Sequence, residues 1–326
     1  MLARFSPYFA FFSILPRAAS SLGPLKTMAQ LSTSHTPGAV TGTSDALFST
    51  IERLHTTHRL GKGSSEPMEC GEGAPAKTET GETWGRFLDS GTGTHSLQWV
   101  RQLPLQSWTA ITADSQMQAT VEREVSKPSE GEAPGKILLG NWDDEGLLEG
   151  ETYDVVLADY LIGSMDGFSP FKQDLVFERL KRHLDPETGI LYIIGLEPIP
   201  YSAETPAEQV VLDVTRLRDA CILMAGHRCY REFPITWVER QLDANGFKVL
   251  GSERLPILYS EQAIRRQLNV AKSKLRFFAD RGLAKQMEAS IATLDARMAA
   301  TVNSQSGRRI RSGFDYVIAA EIDKSK

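Results

Sequence analysis

The sequence has few cysteines, no long apolar run and no strongly basic domain. Its 326 residues include three cysteines, Cys70, Cys221 and Cys229, and none of them is part of a CxxC pair. This count argues against a disulfide framework and the spacing fits no zinc site, so we expect no bound metal. No apolar run reaches the roughly 18 residues of a membrane-spanning helix, so we also expect no membrane span.

Acidic residues are missing from the first 44 positions. This segment holds three basic residues, is rich in serine and threonine, and has a short apolar run at 9–15. Such a composition is typical of an organelle transit peptide, which predicts a mitochondrial or plastid protein if translation begins at Met1. A start at Met28 would remove this signal, and a cytoplasmic location is then the alternative.

The composition changes twice before the folded part of the chain. Leu47, Ile51 and Leu54 share one face at helical spacing, whereas residues 61–82 are rich in Gly, Ser, Pro, Glu and Thr and show no periodicity. We therefore predict a targeting or disordered leader at 1–44, a leading helix with a flexible connector at 45–83, and a folded domain at 84–326.

Short apolar runs alternate with helical patterns after residue 84. They occur at 86–88, 108–111, 136–139, 154–158, 190–194, 247–250 and 316–320. Continuous apolar runs are typical of parallel strands covered on both faces, so the predicted class is α/β with a doubly wound, seven-stranded, mostly parallel sheet. About sixty residues with helical spacing precede the last strand, and we predict a helical cap at about 260–300 that covers the sheet edge.

The first predicted strand leads into the sequence DSGTGTHS at 89–96. An acidic residue, Asp89, is followed by a turn with Gly91 and Gly93 and then by a helix that begins near Ser96. The two glycines allow the backbone to approach a ligand closely, and N–H groups at a helix start face a carboxylate or phosphate. A tight turn without a ligand is the alternative.

Three more predicted strands end in polar residues. Asp114 lies twenty-one residues beyond Gly93, where a carboxylate can accept hydrogen bonds from both hydroxyls of a ribose. Capping of the next helix is the alternative. Asn141, Trp142 and Asp143 follow the third strand, and Asp159 with Tyr160 ends the fourth. Because open parallel sheets bind ligands outside their carboxyl ends, four such endings indicate one ligand site, although turn-forming residues are common there.

These strand ends resemble those of the class I S-adenosylmethionine-dependent methyltransferases, over residues 84–323. The resemblance is to a superfamily and implies a Rossmann-like methyltransferase fold that binds S-adenosyl-L-methionine. It implies the methionine-side loop at Asp89, Gly91 and Gly93, the ribose site at Asp114, the adenine site at Asn141, Trp142 and Asp143, and a wall facing the methyl group at Asp159 and Tyr160. Residues 314–322 look like the family's last, antiparallel strand. His95 departs from the family pattern, because the loop often has a third glycine there.

The methyl acceptor has no recognisable motif. Tyr230 and Arg231, in the loop after a helix that ends near Gly226, are our candidates for acceptor contacts; a surface ion pair beside a buried tyrosine is the alternative. Residues 251–326 are basic, but charges of both signs are interspersed, so we favour a small-molecule acceptor over nucleic acid. No catalytic residue is obligatory, because the sulfonium already makes its methyl group electrophilic.

Two other functions share parts of this pattern. A nicotinamide-dependent oxidoreductase has a similar glycine turn and distant acid, but residues 91–96 end in Ser where its motif has Gly or Ala. A non-catalytic binding protein with a methyltransferase fold is the second alternative, since a fold alone does not fix function.

Overall fold

The computed structural model describes residues 46–60, 83–126 and 131–326. The predicted leader at 1–44 and the connector at 61–82 lie outside these residues. The helices are α1 Ala46–Leu60, α2 Thr94–Val100, α3 Ser115–Val125, α4 Leu161–Ser164, α5 Leu175–Arg182, α6 Pro206–Met224, α7 Ile235–Ala244, α8 Glu261–Lys274 and α9 Arg281–Ser304. The strands are β1 Arg86–Asp89, β2 Ser107–Thr112, β3 Gly135–Leu139, β4 Val155–Asp159, β5 Ile190–Leu196, β6 Phe247–Ser260 and β7 Arg309–Ile322.

The seven strands form one sheet in the order β3-β2-β1-β4-β5-β7-β6. Neighbours from β3 to β5 are parallel, and β7 lies antiparallel between β5 and β6. The predicted α/β class with a mostly parallel, seven-stranded sheet is therefore confirmed, as is the antiparallel direction of the last strand. Because β1, β4 and β5 are central, their apolar side chains are buried on both faces.

Each face of the sheet has its own apolar core. Alternate side chains of β1 point to opposite faces: Phe87 packs with α1, α2 and α3, whereas Leu88 packs with α4, α5 and α7. Val155 and Val156 of β4 divide in the same way. This alternation follows from the two-residue period of a strand, and it makes the sheet doubly wound.

Helix α1 belongs to the core of the sheet. Ile51 is fully buried, Phe48 stacks on Trp99 with ring centroids 4.4 Å apart, and His55 stacks on Trp84 at 3.6 Å. The sequence places the start of the folded domain near Trp84, because the connector separates α1 from the first strand. In the structure, α1 is part of this core, so the folded domain includes residues before Trp84.

Helices α8 and α9 occupy the region of the predicted helical cap; they pack on α6, and residues of β6 and β7 belong to the same core. Apolar residues at helical spacing, such as Ile264, Leu268, Leu294 and Met298, are buried in this third core. Strands β6 and β7 are each 14 residues long and extend past the end of β5 to reach it. None of the helices in the described ranges is long and apolar enough to span a membrane.

Candidate functional site

An open cleft lies at the carboxyl ends of β1 to β4. The lining comes from five segments: 90–93, 111–114 with Met117, 140–142, 159–168 and Tyr230. The polar strand ends that the sequence singles out are thus brought together at one edge of the sheet.

Asp89 lies beneath the glycine loop and is not among the residues that line the cleft. Its side chain is fully buried, and Oδ2 accepts a 2.7 Å hydrogen bond from Ser96 Oγ, which itself accepts one from Gly93 N. Burial raises the pKa of Asp89 to about 6, and the hydrogen bond from Ser96 partly opposes this rise. The carboxyl group therefore holds the loop in shape from below.

The glycine loop itself lines the cleft through Gly91 and Gly93. A Cβ atom at Gly91 would lie 3.2 Å from a methyl carbon of Leu161, so only glycine lets α4 approach the loop without a shift. His95 is exposed and its ring contacts Phe48 of α1, with centroids 5.1 Å apart. The histidine at the position of the missing third glycine thus lies outside the cleft lining.

Asp114 caps α3, as its second interpretation has it, and it also lines the cleft, where its contact with a ribose stays a prediction. Its Oδ1 accepts a 2.9 Å hydrogen bond from Gln116 N at the helix start. Thr112, the last residue of β2, also lines the cleft, and its Oγ1 accepts from Asp114 N at 3.2 Å. Sequence reasoning missed Thr112, because a threonine inside an apolar strand carries no signal of a site.

The predicted adenine residues point in different directions. Asn141 lines the cleft, and its Oδ1 accepts from Ser169 Oγ at 2.8 Å. Trp142 touches the cleft but is 4% exposed, and its Nε1 donates to the carbonyl oxygen of Ser90. Asp143 is exposed, forms an ion pair with Lys172, and does not line the cleft.

Asp159 and Tyr160 both line the cleft at the end of β4. Tyr160 has a left-handed backbone, with φ of 48°, and its hydroxyl donates a 2.8 Å hydrogen bond to Oδ1 of the buried Asp315 on β7. A non-glycine residue in this conformation is held by its surroundings, and this bond is one such restraint. The aromatic ring is therefore fixed at the cleft wall.

A further wall comes from the segment after Tyr160, which sequence reasoning missed. Leu161, Ser164, Met165 and Phe168 all line the cleft. The segment is a four-residue helix followed by one short helical turn, so it is too short to show a hydrophobic period. Its side chains make one side of the cleft largely apolar.

Of the two candidates for acceptor contacts, Tyr230 lines the cleft and Arg231 does not. Arg231 is exposed, whereas Tyr230 lies against Gly167, where an added Cβ atom would be 2.7 Å from the tyrosine oxygen. Burial raises the pKa of Tyr230, and the nearby carboxylates of Asp166 and Asp114 add to this rise. The phenol is therefore neutral at the cleft wall near pH 7.

The cleft has an acidic character. Its lining includes the carboxylates of Asp114 and Asp159, and among the described residues no lysine or arginine side chain lines it. Ser, Thr, Asn and Tyr side chains supply the other polar groups. Such a lining suits a ligand with positive charge and sugar hydroxyls better than one with phosphates.

No protein-family model and no curated protein sequence matches the chain. Solved structures do match it, at low identity. Mycolic acid cyclopropane synthase CmaA1, complexed with SAH and CTAB, is 17% identical with a TM-score of 0.44, over 83% of this chain and 82% of that one. The cyclopropane synthase MmaA2 from Mycobacterium tuberculosis is 16% identical with a TM-score of 0.42, over 72% and 76%. A SAM-dependent methyltransferase from Methanosarcina mazei is 12% identical with a TM-score of 0.44, over 73% and 93%.

The fold is assigned from the chain's own topology. A doubly wound, seven-stranded, mostly parallel sheet whose last strand, β7, is antiparallel is the arrangement that the sequence resemblance implies. The chain therefore has the Rossmann-like fold of the class I S-adenosylmethionine-dependent methyltransferases.

Proposed function

We propose that this protein transfers a methyl group from S-adenosyl-L-methionine to a small-molecule acceptor bound in the cleft. The observation that carries the proposal is the acidic lining, with Asp114 and Asp159 present and no basic side chain among the described lining residues. S-adenosylmethionine carries a sulfonium and an ammonium group, whereas a nicotinamide dinucleotide carries a pyrophosphate. The charge of the cleft therefore favours the first cofactor over the second.

The lining residues also fit the other parts of S-adenosylmethionine. Gly91 and Gly93 leave room for its methionine end, and Asp114 and Thr112 offer oxygen atoms to its ribose hydroxyls. Asn141 lies where the resemblance implies the adenine. Its amide is already held by Ser169, so it meets a ligand in a fixed orientation. Trp142 then supports the loop from behind and does not stack on the base.

When bound, the cofactor supplies an electrophilic methyl group, and the chain must hold the acceptor and keep water out. Tyr160, Leu161 and Tyr230 contribute large side chains to the lining and are suited to this task. Tyr160 is fixed by Asp315, and Tyr230 packs on Gly167, so both rings are positioned before a ligand arrives. We assign Tyr230 to the acceptor side and leave Arg231 out of the site.

Calorimetric titration with S-adenosylhomocysteine and, separately, with NADH tests the cofactor assignment. We expect one binding site for S-adenosylhomocysteine and no measurable heat from NADH at the same concentration. Binding of NADH alone would support the oxidoreductase alternative. Binding of S-adenosylhomocysteine without turnover of any metabolite pool would support the non-catalytic alternative.

A further inference from the structure

Three basic side chains lie together where α8 ends against the loop that follows α6. Lys274 is only 7% exposed, and its Nζ lies 3.3 Å from Nδ1 of His227. The ring of Phe277 packs edge-on against the imidazole of His227, with centroids 4.9 Å apart. The guanidinium of Arg276 lies over the Phe277 ring, 4.6 Å from its centroid. We call Lys274, His227 and Arg276 the basic cluster; none of them lines the cofactor cleft.

The positive charge of the basic cluster is not compensated by any carboxylate in the described part of the chain. No ion pair is formed there by Lys274, Arg276 or His227, and the nearby Asp219 is bound by Arg218 instead. The thiol of Cys229 is the other titratable group facing Lys274, and burial raises its pKa to about 11, so it is neutral near pH 7. Burying an ammonium group without a counter-charge is unfavourable in free energy, and a bound anion would supply that counter-charge.

The pKa values of Lys274 and His227 are both lowered. Burial, and then the charge of Arg276, lowers the pKa of Lys274. Burial, Lys274 and Arg276 lower the pKa of His227 in the same way. An anion that binds among these positive charges lowers their mutual electrostatic repulsion.

We propose that Lys274, His227 and Arg276 bind an oxyanion, which is the carboxylate, phosphate or sulfate group of a small molecule. An ammonium group can only donate, so Nδ1 of His227 accepts from Lys274 and the proton of the neutral ring is on Nε2. The Nε2–H group, the remaining N–H groups of Lys274 and the guanidinium of Arg276 are then donors for the oxygens of the ligand. His227 is half-buried and Arg276 is exposed, so the cluster is open to solvent on that side.

Titration of the full chain with sodium sulfate tests this site, because sulfate keeps its double charge across the pH range used. Ionic strength is held constant with sodium chloride, so that screening does not change. We expect saturable binding to the wild type and at least tenfold weaker binding to Lys274→Met. Lys272→Met is the matched control, because Lys272 is exposed on the same helix and lies 3.8 Å from Glu288; it should bind sulfate like the wild type.

A second readout follows His227 itself. NMR titration of its ring protons should show that sulfate raises the pKa of His227, because a bound dianion stabilises the imidazolium. His227→Gln, at a half-buried position, provides a second weakened variant if Lys274→Met does not fold. A parallel titration with acetate shows whether the site prefers a carboxylate or a doubly charged group. Binding of sulfate or of acetate supports the proposal if it weakens in Lys274→Met or His227→Gln.

Two results would overturn the assignment. One is the absence of saturable sulfate and acetate binding to the folded wild type. The other is binding that Lys272→Met weakens as much as Lys274→Met or His227→Gln. Neither result bears on the cofactor cleft, whose affinity for S-adenosylhomocysteine is measured separately.

Discussion

The indole N–H of Trp142 donates a 2.6 Å hydrogen bond to the carbonyl oxygen of Ser90, and this bond joins the loop after β3 to the glycine loop after β1. Trp142 is 4% exposed and packs in the same core as Leu88 and Ile111. Two of the loops that line the cleft are therefore held together from behind by one side chain. The indole contributes to the shape of the cofactor cleft more than to its surface.

Trp142→Phe should weaken both folding and cofactor binding. The substitution keeps an aromatic ring but leaves the Ser90 carbonyl without its donor, which costs about 1–3 kcal/mol when the acceptor is buried. We expect a lower free energy of unfolding in urea and a several-fold loss of affinity for S-adenosylhomocysteine. The matched control is Trp108→Phe, which removes a 3.1 Å bond to the carbonyl oxygen of Ala133 at the other end of the sheet. It should lose stability and keep its affinity, and equal affinity losses in both variants would contradict the role of Trp142.

Asp114→Asn should reduce cofactor affinity at least tenfold without a loss of stability. Asparagine caps helices as well as aspartate does, so the bond to Gln116 N can be kept, whereas the charged bonds to a ribose are lost. Calorimetry measures the affinity and thermal unfolding measures the stability. Asp114→Ala should lose the same affinity and also about 1 kcal/mol of stability with the cap. Unchanged affinity in folded Asp114→Asn would remove this residue from the ribose site.

The folding stability should depend on pH through Asp89. Burial raises its folded pKa from 3.8 to about 6, so the folded chain holds this proton more tightly than the unfolded chain. The contribution of Asp89 to stability is therefore fully present below about pH 4 and is lost as pH rises through about 6. Asp89→Asn mimics the protonated group. Its free energy of unfolding, relative to that of the wild type, should rise by about 1–3 kcal/mol between pH 4 and pH 7.

Urea unfolding at both pH values measures this difference. Near pH 7, Ser96→Ala should lower the free energy of unfolding, whereas Asp89→Asn raises it, because Ser96→Ala removes the donor that favours the ionised carboxylate. A constant difference between Asp89→Asn and the wild type across the range would show that Asp89 titrates normally.

The sequence predicts the sheet well because its central strands are continuous apolar runs that only a doubly covered sheet can bury. It predicts β6 and β7 too short, since the outer halves of both strands alternate between exposed and buried positions and lack such runs. The position of α1 was missed because its packing on Trp84 and Trp99 spans the connector. Contacts between distant segments leave no periodic signal.

The same distinction applies to the cleft. Strand ends converge by topology, so Gly91, Gly93, Asp114, Asn141, Asp159 and Tyr160 could be placed there in advance. Which way a loop side chain points depends on local partners: Asp143 turns to Lys172, and Trp142 turns inward to Ser90. Tyr230 was found through its residue type, whereas its neighbour Arg231 faces solvent.

A chain that starts at Ser44 should unfold at the same temperature as the full chain and bind S-adenosylhomocysteine equally well, because it keeps α1. A chain that starts at Thr83 lacks α1 and exposes the apolar faces of Trp84 and Trp99. Loss of that burial, at roughly 25 cal/mol per Å², should make this shorter chain much less stable. Thermal unfolding of both proteins checks the prediction, and equal midpoints would show that α1 is not part of the core.

The formation of S-adenosylhomocysteine from S-adenosylmethionine, after addition of a desalted small-molecule extract, tests the proposed function most directly. The purified wild type should produce it only when the extract is present, and Asp114→Asn should produce it far more slowly at limiting cofactor. Mass spectrometry of the extract should then show one compound heavier by a methyl group. If the wild type binds the cofactor but forms no S-adenosylhomocysteine with any fractionated extract, methyl transfer is contradicted and the cleft belongs to a binding protein.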